Sequence, residues 1–203
     1  MQNIKTHLRG LPSKRVLQMA ILLVFGWVVA VSVLWGVEAY SLKGMHIPIA
    51  QVVANVVMLL GAVLIGRWFK IPPPLFGKGK QWLALSFAAA VAVLVFLGWD
   101  HGAIFTLSLG GLFVWTAISE EVVFRHYMYE LIGTMTQRFS IQVMVNSLIF
   151  ALFHLPVAVM TGYWWVLAIS FAFGVFATVL RRLTSGIGWP FLAHWFVDIV
   201  SEL

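Results

Sequence analysis

Apolar residues run almost unbroken through seven stretches of the chain: Val16 to Val37, Ile49 to Gly66, Gln81 to Trp99, Ala103 to Gly133, Ile141 to Met160, Tyr163 to Leu180 and Ile187 to Ser201. Breakers and polar residues separate them, at Ser41 to Pro48, at Pro72 to Pro74 with Gly77 and Gly79, at Asp100 to Gly102 and at Thr184 to Gly188. A span of a bilayer takes roughly 20 apolar residues, so the pattern predicts an all-α, polytopic transmembrane helix bundle of about seven spans. The stretch Ala103 to Gly133 is too long for a simple crossing: it would form a helix of roughly 45 Å against a core of ~30 Å, and must tilt, bend or protrude. Gly110 and Gly111 offer a break. The first run follows a basic stretch with Lys5, Arg9, Lys14 and Arg15. Its apolar part is too long for the hydrophobic region of a signal peptide and no clear cleavage site follows, so it is expected to be a retained first span. The chain divides into a basic cytoplasmic segment over 1–15, three spans over 16–102 and a helical core over 103–203. No internal repeat is evident.

Composition agrees with the pattern. The chain is 62% hydrophobic and 10% charged, with a mean hydropathy of +0.97, far outside the soluble globular range. It has no cysteine, which excludes disulfides, a thiolate nucleophile and Cys-based zinc or iron–sulfur sites. The net charge of +6 is explained by basic residues holding cytoplasmic loops rather than by nucleic acid. With alternate loops assigned to opposite sides, all the Lys and Arg except Lys43 fall on one side. The chain is therefore expected to be a multi-pass integral protein of a bacterial inner membrane, with its N-terminus cytoplasmic and its C-terminus outside. The position of Arg125, in a loop or within the membrane, is left open by this count. Tryptophans 35, 68, 82, 99, 164, 165 and 189 lie near span ends, where indole prefers the headgroup layer.

The candidate chemistry lies in the polar residues that interrupt the apolar runs. Glu120, Glu121, Asp198, His154 and His194 sit inside apolar segments, where ionisable groups are costly and by default face the bundle interior. Glu121 and Arg125 are four apart, with the glutamate on the favoured N-terminal side of an ion pair. Glu120 points about 100° away around an α-helix and remains the freer carboxylate. His194 and Asp198 share one helix face, as do Asn146, Phe150 and His154. Pro156 removes a backbone donor and frees the carbonyl of Leu152, loosening the helix beside His154. Counted at ~1.5 Å per residue from the cytoplasmic ends, His154 lies roughly 20 Å deep, His194 roughly 10 Å and Asp198 roughly 17 Å; Glu120 lies about 20 Å deep if Gly133 marks the end of its helix.

The order Glu120-Glu121-x-x-x-Arg125, Phe150-x-x-x-His154, His194-x-x-x-Asp198 resembles the three motifs of the CAAX protease and bacteriocin-processing (CPBP, or ABI) family of intramembrane proteases, over roughly residues 105 to 200. The resemblance implies a catalytic helical core with its site between helices four, five and seven, and an endopeptidase that uses a glutamate-activated water on a membrane-associated or prenylated peptide or protein substrate. It implies Glu120 as general base, His154 positioning the water, Glu121 and Arg125 as a supporting pair, and His194 with residue 198 stabilising the oxyanion. The family often has Asn where this chain has Asp198. Asp198 donates a hydrogen bond only when protonated, and an alternative role is to orient His194 and fix its tautomer.

Other readings stand beside this one. No cofactor is expected, and there is no HExxH pair; zinc held by Glu120, His154 and His194 is the alternative. Asn146 and Phe150 are supporting residues, with Phe150 a packing residue beside the site. Ser170, Gly174 and Thr178 form a small-residue stripe that close helix packing explains. His7, His46, His101 and His126 sit at ends or loops and receive no role. Intramembrane Glu, His and Asp would also suit a proton relay in a small transporter or channel, although the paired broken helices and inverted repeats of such proteins are not seen. A third alternative is a non-catalytic member of the same family that binds a membrane partner.

Overall fold

The computed structural model describes residues 49–68, 70–97 and 103–200, together with Ala20 and Val24, and among these the regular structure is entirely helical. Apart from Ala20 and Val24, the expected first span Val16–Val37 lies outside the described residues, as do the basic residues before it, Lys43 and Asp100. Helix α1 is Ile49–Trp68 and α2 is Lys80–Leu97. Helix α3, Ala103–Glu120, passes directly into a π-helical stretch, π1, Glu121–Met128, and then into α4, Tyr129–Met135. Helices α5, Phe139–Phe153, α6, Leu155–Thr161, α7, Trp165–Thr184, and α8, Gly188–Val200, complete the chain.

By length and apolar composition one described helix, α7 with 20 residues, suffices to cross a membrane. Helices α5 and α8 have 15 and 13 residues and reach about 22 Å and 20 Å, short of a ~30 Å hydrocarbon layer.

Two expectations about regularity are corrected. The long stretch does not break at Gly110–Gly111, where α3 is continuous and the carbonyl of Gly110 accepts a hydrogen bond from Trp195 Nε1 at 2.9 Å. Its irregularity is π1, with all eight residues buried. A turn closed by i→i+5 bonds is rare, and frequent at functional sites. The run from Ile141 to Met160, expected as one span loosened beside His154, is two helices joined at His154, whose φ of −87° and ψ of 1° leave helical geometry. Pro156 accounts for this, since it has no N–H to give the carbonyl of Leu152 and its ring crowds that carbonyl.

The core forms around π1. Val122, Val123, Phe124, Tyr127 and Met128 pack with Ala62 of α1, Phe150 of α5 and Ile187. A second cluster joins Ala117 of α3 to Leu192, Trp195 and Ile199 of α8. Between α5 and α7 the backbones approach closely: a β-carbon on Gly174 would lie 2.9 Å from Ser147 Cα.

The connection from α1 to α2 docks on the turn before α8. The N–H of Lys78 donates to Thr184 O (2.7 Å), that of Ile187 to Leu75 O (2.9 Å) and that of Gly188 to Phe76 O (3.1 Å). Gly77, at φ +92°, and Gly186 are so close that a β-carbon on Gly186 would stand 2.2 Å from Gly77 N. This contact gathers Arg67, Lys70 and Lys78 at the end of the bundle that also holds Arg181 and Arg182. Arg182 covers the ring of Phe139 at 4.4 Å, which brings Arg138 to the same end. His126 contributes as well. It was expected at an end or loop without a role, yet it is buried in π1 and its Nε2 lies 2.7 Å from Pro72 O. A carbonyl only accepts, so His126 is the donor.

Candidate active site

The junction of α3 and π1 places Glu120 and Glu121 inside the bundle, opposite α5 and α8. Glu121 is fully buried and its two oxygens have different partners. Oε1 lies 2.9 Å from Nδ1 of His194, and Oε2 lies 3.4 Å from Nε of Arg125. Arg125 is also fully buried, with its guanidinium carbon 4.1 Å from the centroid of the Phe150 ring. Among the described residues its three nitrogens make no hydrogen bond, so Glu121 and the ring face supply its compensation. The question left open by the sequence is answered: Arg125 is in the interior.

Glu120 faces two imidazoles from two different helices. Its Oε2 is 3.8 Å from Nε2 of His194 and 4.0 Å from Nε2 of His154. Both rings are held through their other nitrogen. His154 Nδ1 lies 2.9 Å from the carbonyl of Phe150, which fixes the proton on Nδ1 and leaves the Nε2 lone pair toward Glu120. His194 Nδ1 donates to the Glu121 carboxylate. Asp198 Oδ1 is 3.6 Å from His194 Nε2, on the face of the ring system that also meets Glu120. The alternative that Asp198 fixes the His194 tautomer is therefore corrected: Glu121 holds Nδ1, because α8 lies across π1 with that edge of the ring turned toward it.

Phe150 is the common wall of the site, with ring centroids 4.8 Å from His154 and 5.8 Å from His194, and with Arg125 over its face. Asn146, fully buried, donates from Nδ2 to the carbonyl of Phe124 in π1 at 2.7 Å and receives Thr178 Oγ1 at 3.2 Å. The structure thus brings together Glu120, Glu121, Arg125, His154, His194 and Asp198, with Phe150 and Asn146 behind them. The depth count placed His194 shallower than the others; the contact with Glu120 shows that the groups meet at one level.

Sequence reasoning missed three contributors. Phe173 of α7 lies 4.7 Å from the His194 ring and Phe153 lies 5.4 Å from the His154 ring. Thr178 was read only as part of a small-residue stripe; its four-residue spacing from Gly174 was the available signal. Glu120 and His194 side chains are 8% and 7% exposed, whereas His154 and Asp198 are each 21% exposed, so the site opens on the side of these last two. Among the described residues, no group of three or more His, Cys, Asp or Glu side chains is arranged to hold a metal ion. No chemical step is derived through a metal.

A buried carboxylate facing two oriented imidazoles, in a strongly apolar chain whose described regular structure is helical, defines the class: a helical protein with a buried polar centre. The family model described as Rce1-like, type II CAAX prenyl endopeptidase Rce1-like, matches residues 101–200. Over these residues the chain matches the CAAX protease family, a family of peptidases, in agreement with the three motifs. No curated protein and no solved structure matches the chain.

Proposed function

We propose that the protein is an intramembrane endopeptidase that cleaves a membrane-associated or prenylated peptide with a water activated by Glu120. One observation carries this reading: Glu120 Oε2 stands 3.8 and 4.0 Å from the Nε2 atoms of two histidines whose rings are each anchored at Nδ1. Such separations are too long for direct hydrogen bonds and suit one shared water. That water donates one hydrogen to Glu120 and the other to the lone pair of His154 Nε2, which turns its own lone pair toward a substrate carbonyl. Attack forms the C–O bond while the proton passes to Glu120; collapse of the tetrahedral intermediate breaks the C–N bond and Glu120 returns the proton to the leaving amine.

With Nδ1–H committed to Glu121, His194 presents a proton at Nε2 only as the imidazolium, with the carboxylates of Glu120, Glu121 and Asp198 around it as counter-charges. In that form it donates to the oxyanion, the role in which a preorganised donor contributes most. Substrate enters on the side of His154 and Asp198. The basic end of the bundle is cytoplasmic in this reading, and the helices form a multi-pass assembly in a bacterial inner membrane.

The test is cleavage of a farnesylated peptide and of a non-prenylated membrane-anchored peptide by purified protein in lipid vesicles, comparing wild type with Glu120→Gln and His154→Ala, with and without a chelator. The expected result is loss of cleavage by roughly 10²–10⁴-fold in both variants, without chelator sensitivity. Undiminished cleavage in both variants overturns the mechanism, and chelator sensitivity replaces it with a metal-dependent one.

A further inference from the structure

We infer that Asn146 and Thr178 form a positioning pair that holds π1 in its wide-turn register and so keeps Glu120 opposite His154 and His194. The catalytic consequence rests on the peptidase reading; the structural one does not.

The pair acts on the carbonyl of Phe124. That oxygen receives the N–H of Tyr129, five residues on, which is the bond that distinguishes a π turn from an α turn. It also receives Asn146 Nδ2 at 2.7 Å from α5, 22 residues away. A carbonyl has two acceptor sites, and both are occupied here only because Asn146 reaches it. The amide oxygen has a partner on α7: Oδ1 lies 3.2 Å from Thr178 Oγ1, whose single proton is shared between Oδ1 and the carbonyl of Gly174 at 2.7 Å. Asn146 and Thr178 are both fully buried. Gly174 permits the arrangement, since its bare α-carbon lets α7 approach Ser147, the neighbour of Asn146.

An ordinary buried asparagine needs only satisfied hydrogen bonds, and any nearby carbonyl would serve. Here the bond falls on the acceptor of a wide turn, four residues beyond Glu120. Closing a wide turn into α geometry rotates everything N-terminal to it by about 100° and shifts it by about 1.5 Å along the axis. Either displacement removes Glu120 from its position between the two Nε2 atoms. A misplacement of about 1 Å costs on the order of 10²-fold in rate.

The experiment uses the full-length protein in vesicles and compares Asn146→Ala, Asn146→Asp, Thr178→Val and Thr178→Ser. Two readouts are taken on the folded fraction: kcat and KM for the cleaved peptide, and hydrogen–deuterium exchange of peptides covering residues 121–129. Asn146→Ala and the near-isosteric Asn146→Asp, which loses the donor, are expected to lower kcat on the order of 10²-fold with KM unchanged and to raise exchange over 121–129. Thr178→Val shows a smaller effect in the same direction, and Thr178→Ser behaves as wild type. A wild-type kcat in Asn146→Ala or Asn146→Asp overturns the proposal, as does an equal change in kcat and KM without altered exchange. If Asn146→Ala does not accumulate, Asn146→Asp carries the same comparison. If wild type cleaves neither peptide the peptidase reading fails, and exchange alone then decides: unchanged protection over 121–129 in the Asn146 variants refutes the pair, and a local rise supports it.

Discussion

Arg125→Met separates the electrostatic role of the Glu121–Arg125 pair from its packing role, because methionine keeps an apolar stem of similar reach against Phe150. Both charges are fully buried and their nearest atoms are 3.4 Å apart. At an effective dielectric constant near 20, an attraction at that distance is about 5 kcal/mol. Removing one partner leaves Glu121 buried with only His194 as compensation, and breaking such a pair costs about 3–5 kcal/mol. For a chain of this size that corresponds to a fall in the unfolding midpoint of roughly 6–20 °C. The companion Glu121→Gln/Arg125→Met removes both charges while the Gln carbonyl still accepts from His194 Nδ1–H. Replacing a whole buried pair is often neutral, so the double variant is expected to recover most of the lost stability. Its cleavage is expected to remain low, since the counter-charge behind His194 has gone. The assay is thermal unfolding in detergent followed by intrinsic fluorescence, with peptide cleavage on the same samples. An Arg125→Met protein as stable as wild type, or a double variant less stable than Arg125→Met, refutes the argument that this is a buried, mutually dependent pair.

Two further outcomes test the surroundings of the site. Phe150→Ala removes a ring that contacts both imidazoles and lies beneath Arg125, and is expected to destabilise the protein by about 3–5 kcal/mol, with Phe150→Leu intermediate; unfolding midpoints within error of wild type would contradict the shared wall. Gly174→Ala places a β-carbon 2.9 Å from Ser147 Cα, so α7 must move away from α5, at a cost of about 1–3 kcal/mol; cleavage and stability both unchanged would show that the helices have room.

The parts of the site that lay along one helix were legible in the sequence, and the parts that joined helices were not. Glu121 with Arg125 and His194 with Asp198 follow from a four-residue spacing in an apolar run, which needs no knowledge of neighbours. The bond from Glu121 to His194 spans 73 residues and depends on how α8 crosses π1. No periodicity encodes that crossing, so the only partner that spacing offers His194 is Asp198 on its own helix. The same limit explains Thr178: spacing shows that it shares a face with Gly174, while its approach to Asn146 is set by the contact of Gly174 with Ser147.

The break in the long central stretch was misplaced for a related reason. Two adjacent glycines are a local signal, and they predict a bend from the chain's own flexibility. Yet Gly110 lies against α8, where Trp195 binds its carbonyl, and α3 runs through it without interruption. The distortion appears instead at Glu121–Met128, in residues with ordinary side chains, because there a polar group from another helix competes for a backbone carbonyl. A helix buried on all sides cannot send its irregular backbone groups to water or lipid, so a wide turn is favoured where a neighbour supplies a second donor to its carbonyl. Asn146 supplies it, one turn before Phe150 and two before His154. The face of α5 that carries the second motif therefore also fixes the backbone of the first.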